Sequence, residues 1–97
     1  MSIMTELVET LAVYVSALDH SAQVAQRAEA RIAYTYRLAA AAQFFAATRD
    51  GRIAELRDLV ANERHAYGWG YFSGTDIAAV KRAFNHFAKV VEAANAI

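Results

Sequence analysis

A chain of 97 residues is long enough for one domain of ordinary size and too short for two. It contains no cysteine and no proline, which excludes disulfides, thiolate catalysis and cysteine-ligated metals, and leaves four glycines as its main helix breakers. Ten basic residues balance ten acidic ones, so no net field draws the chain to nucleic acid or to an anionic membrane.

The 23 alanines point to an all-α protein. Periodicity and breakers predict a four-helix antiparallel bundle in a single domain, 1–97, with a long central second helix and a Gly/aromatic loop between helices 3 and 4. The first helix is predicted over about Ile3 to Leu18. Its inward positions are Ile3, Leu7, Leu11, Tyr14 and Leu18, widened by Met4, Val8 and Val15; Thr5, Glu6, Glu9, Thr10 and Ser16 are left for solvent. Asp19-His20-Ser21 offers an N-cap for a second helix, because short side-chain oxygens satisfy the orphan N–H groups at a helix start. That helix meets no breaker from Ala22 to Thr48, and Asp50-Gly51 supplies its stop.

A third helix is predicted over about Arg52 to Tyr67, with Ile53, Leu56, Leu59 and Val60 inward. Gly68 to Gly74 then holds three of the four glycines, and Ser73 with Asp76 has the form of a capping box. The last helix, about Asp76 to Ala94, sets Ile77, Val80, Phe84, Phe87 and Val91 opposite Lys81, Arg82, Asn85, His86, Lys89 and Glu92.

On these boundaries the second helix overreaches the first, and Leu38 to Ala47 is apolar on nearly every face. That segment, or the first helix, is the expected contact of a homodimer. It has about half the residues needed to cross a bilayer. No Lys or Arg precedes Arg27, so the start of the chain lacks a signal peptide's positive charge. A cytoplasmic protein without membrane contact is expected, and the alanine and arginine usage suggests a bacterial source.

Catalytic patterns are hard to find. No Glu-x-x-His pair is present, and the predicted hairpin of helices 3 and 4 holds His65 and His86 too far apart to share an ion, so neither a metal nor a cofactor is expected. Glu6-x-x-Glu9 and Glu55-x-x-Asp58 superficially resemble the paired acidic motifs of all-helical nucleotide pyrophosphohydrolases. The 45 residues between the pairs and their apolar or Arg neighbours do not sustain the likeness, and no site is carried over. A DNA-reading third helix is disfavoured because Glu55, Asp58 and Glu63 would repel phosphate as strongly as Arg57 and Arg64 attract it.

Two surfaces remain. Arg27, Arg31, Tyr34 and Arg37 recur at helical spacing, as an anion or acidic-partner stripe or, more simply, as the partners of Glu6 and Glu9 across a hairpin. The segment Tyr67 to Phe72 carries four of the eleven aromatics, among them the only Trp. Tyr67, Trp69, Tyr71 and Phe72, with Glu63, Arg64 and His65 just before them, form the expected contact for a protein partner. Inward-folded rings plugging the bundle are the plainer alternative. The expected function is a small non-catalytic interaction module, regulatory, adaptor or inhibitor-like. The alternative is a small-molecule pocket or minor enzyme activity around the aromatic loop.

Overall fold

A computed structural model describes residues 2–66 and 75–95, and for His65, Ala66, Thr75, Asp76 and Asn95 the backbone alone. Four helices follow one another: α1 (Ile3–Val24), α2 (Ala28–Arg49), α3 (Ile53–Ala66) and α4 (Thr75–Asn95). Among the described residues there is no strand. Helix α1 packs on α2 and α4, and α3 packs on the same two from the opposite corner, so among the described residues the helices form a closed square without diagonal packing. The all-α, four-helix expectation holds.

The first boundary differs from the prediction. Asp19-His20-Ser21 does not start a helix but continues α1 for another turn. Ser21 is buried, and Asp19 Oδ2 accepts a 2.9 Å hydrogen bond from Gln23 Nε2 four residues on. The break comes at Ala25-Gln26-Arg27, where Ala25 (φ −65°, ψ 128°) and Arg27 (φ −89°, ψ 133°) are extended. No side chain caps α2 there. Burial of Leu18 and Ser21 against the bundle therefore outweighs the better local capping signal.

The first two helices are consequently equal, 22 residues each, and the expected overreach of the second disappears. The short member is α3, with 14 residues against 21 in α4. At 1.5 Å per residue α3 covers about 21 Å, where its neighbours run for about 32 Å. It begins at the turn after α2 and ends near the middle of the bundle, where Glu63 meets Arg37 of α2 and Arg64 lies over Phe84 of α4.

The turn between α2 and α3 follows the Asp50-Gly51 signal closely. Gly51 has φ +70°, the left-handed region that only glycine enters without strain. Its N–H donates to Thr48 O (3.2 Å) and that of Arg52 to Ala47 O (2.9 Å), the paired bonds of a Schellman motif. At the other end of the sequence order, Ser2 Oγ accepts from Thr5 N (3.1 Å) and starts α1.

The core is built from the expected stripes: Leu7, Leu11, Tyr14 and Leu18 of α1, Leu56 and Val60 of α3, and Val80, Phe84, Phe87 and Val91 of α4. Tyr14 meets Phe84 edge-on (centroids 5.3 Å apart, 61°), and Phe44 stacks on Phe87 (5.7 Å, 29°). Thr10, expected in solvent, is buried. Its hydroxyl donates to Glu6 O at 2.7 Å, which satisfies it within its own helix.

Leu38 to Ala47 is buried on one face and open on another. Ala41, Phe44 and Ala47 are buried, whereas Ala39, Ala42, Gln43 and Phe45 remain exposed. This segment packs on α1 and α3 and leaves its remaining face uncovered. Among the described residues no helix is long and apolar enough to cross a membrane.

Candidate functional site

The stripe Arg27, Arg31, Tyr34, Arg37 does not share one surface. The turn at Ala25–Arg27 shifts the hairpin register, so Arg31 no longer lies level with Glu9. Among the described residues neither Glu6 nor Glu9 forms an ion pair. Arg27 and Arg31 are exposed, Tyr34 is buried in the core, and Arg37 turns toward α3. The predicted self-pairing of α1 with α2 gives way to a bond between α2 and α3.

That bond runs from Arg37 Nη1 to Glu63 Oε1 at 2.8 Å. Glu63, expected at a partner contact, is instead only 5% exposed. Its place follows the inward spacing of Leu56 and Val60, and that period is the signal by which it could have been found. Glu63 Oε2 is buried with no hydrogen-bond partner. Burial pushes the carboxyl above its ordinary range, and the Arg37 charge opposes that rise without cancelling it. A carboxylate held in this way fixes α3 against α2 at the level where α3 ends.

Arg64, next along α3, is exposed, with its guanidinium 5.9 Å from the Phe84 ring centroid. Predicted contacts at the His65 side chain and at Tyr67, Trp69, Tyr71 and Phe72 lie outside the described residues.

The accessible apolar surface of the described chain is concentrated on the helix backs. On α2, Ile32 is 58% and Tyr36 66% exposed, and both lie on a shallow groove of about 430 Å³ completed by Arg31, Thr35 and Ala39. This groove begins ahead of Leu38 to Ala47, the segment that the sequence marks as apolar on nearly every face. Ile32, Tyr36 and Ala39 follow one another at helical spacing, but an assumed partner in α1 concealed the stripe.

Among the described residues no three His, Asp or Glu side chains gather as metal ligands would. No known protein family, curated protein or solved structure matches this chain.

Proposed function

We propose that the chain acts by binding rather than by catalysis, as a small interaction module that pairs with a second copy through the outward face of α2. The observation that carries this reading is the exposure of Ile32 and Tyr36 side by side on one helix. Burying side chains of this kind contributes about 1.5–3 kcal/mol each, so covering both on association is favourable. Ala39 and Ala42 follow on the same exposed side, and a second α2 laid antiparallel sets bulky residues against small ones.

Light scattering tests the proposal. At high micromolar concentration the protein is expected at twice the 10.7 kDa chain mass. The double variant Ile32→Asp/Tyr36→Asp is expected to fold normally, because both positions are exposed, and to run as a monomer. A wild-type mass of one chain would overturn the pairing.

A further inference from the structure

A second surface lies between α3 and α4, on the other side of the bundle from α1. Arg57, Val60, Ala61 and Arg64 line it from α3, at the spacing i, i+3, i+4, i+7 of a single helix face. Ala88, Val91 and Glu92 line it from α4, and together they enclose a groove of about 280 Å³. The floor is apolar: Val60, Ala88 and Val91 are buried, and Ala61 is open to solvent.

The charges stand at the two ends of the α3 wall. Arg57 and Arg64 are seven residues apart, about 10 Å along the helix. Among the described residues neither has a carboxylate within hydrogen-bond distance. Arg64 rests on the Phe84 ring with no carboxylate bound to it among the described residues. Arg57 Nε approaches Asp58 Oδ1 only at 3.9 Å, with both side chains more than half exposed. Glu92 on the opposite wall is exposed and forms no ion pair among the described residues. The groove is therefore apolar along its floor, positive along α3 and negative along α4.

We propose that the α3–α4 groove docks an amphipathic helix of a protein partner that bears carboxylates seven residues apart, with apolar residues between them. The match is one of spacing. A helix with Asp or Glu at i and i+7 and apolar side chains at i+3 and i+4 repeats the Arg57, Val60-Ala61, Arg64 pattern with opposite charge. Its apolar pair then meets Ala61 and Val60 while its carboxylates meet the two guanidinium forks. Glu92 sets the remaining requirement, because the flank of the partner that faces α4 must be neutral or basic. This inference rests on the reading of the chain as an interaction module, yet it uses a different face from the α2 pairing and a partner of different sequence.

Labelled helical peptides titrated into the full chain test it by fluorescence anisotropy. One peptide carries Glu-x-x-Leu-Leu-x-x-Glu and the other Lys-x-x-Leu-Leu-x-x-Lys, each with Lys on the flank toward α4. The acidic peptide is expected to bind about tenfold more tightly or better, and to weaken as salt rises. In Arg57→Glu/Arg64→Glu the preference is expected to invert. Both positions are exposed, and circular dichroism checks that this variant folds. Ala61→Gln, which fills the groove from an exposed site without changing charge, is expected to weaken the acidic peptide as well. Equal binding of both peptides, no binding at millimolar concentration, or a preference that survives the double reversal would each overturn the proposal. Repeating the titration with Ile32→Asp/Tyr36→Asp separates the two surfaces, since loss of pairing through α2 leaves the groove intact.

Discussion

Among the described residues, the two ends of the bundle differ by one helix. At the end that holds the α2–α3 turn, four helices surround the core, and α2 buries Ala41, Phe44, Ala47 and Thr48 there. Toward the α1–α2 turn, α3 has ended and the described chain offers three helices. In that half α2 buries Tyr34 alone, while Ile32 and Tyr36 face solvent. One helix of uniform, alanine-rich composition thus behaves as core at one end and as surface at the other. What decides is the reach of a neighbour and not the residues' own hydrophobicity.

The contrast can be broken most directly with one substitution made twice on α1. Leu7 and Leu18 are both fully buried, Leu7 toward the α2–α3 turn and Leu18 toward the α1–α2 turn. Leu7→Ala is expected to cost about 4–5 kcal/mol and Leu18→Ala about 2–3 kcal/mol, because a site with fewer neighbours collapses more readily around the cavity. Urea unfolding measures both; equal losses would mean that the two ends are packed alike.

The Arg37–Glu63 pair sits at the border between the ends. Arg37→Met strands a buried carboxylate and is expected to cost about 3–5 kcal/mol at pH 7. The pH dependence has a definite sign. Glu63 titrates higher in the folded chain than in the unfolded one, so between those two values the folded state alone retains the proton. This group's contribution to stability is full below the ordinary glutamate range and falls as pH rises through the window up to the raised value. Glu63→Gln is expected to flatten that part of the profile, measured as unfolding free energy against pH. A slope unchanged in this variant would assign the effect to another group.

A smaller effect is expected at Gly51. Gly51→Ala should cost about 1–2 kcal/mol through backbone strain alone, since a Cβ added there meets nothing within 4 Å. The smallest belongs to the exposed face: Tyr36→Ala should change the stability of the isolated chain by less than about 0.5 kcal/mol. Thermal unfolding of the dilute protein checks it, and a larger loss would mean that Tyr36 supports the three-helix end from outside.

Much of the fold is legible in the residues. The α4 stripe from Val80 to Val91 is unambiguous because one face is apolar and the other charged. Asp50-Gly51 is legible because a left-handed residue is needed at one point and glycine stands there. The α1–α2 break is not legible, since Ala25-Gln26-Arg27 contains no breaker and a stronger capping signal precedes it. That displaced turn carries other differences with it, because the register of the arginine stripe and the partners expected for Glu6 and Glu9 both depend on where α1 ends. The burial of Glu63 is not legible for a different reason. A charged residue at an inward position is read as solvated until a partner from another helix is seen, and Arg37 lies 26 positions away.

The square arrangement also bears on the order of assembly. Three of its four sides join helices that are consecutive in the chain and separated in sequence by at most eight residues. The fourth, between α1 and α4, joins the first helix to the last and holds the Tyr14–Phe84 contact. Its closure entropy grows with the length of chain enclosed, so it is expected to form late, after the local hairpins have shortened the effective loop. Weakening Tyr14–Phe84 should then accelerate unfolding more than it slows folding, which makes this interface the clasp that sets the lifetime of the native state.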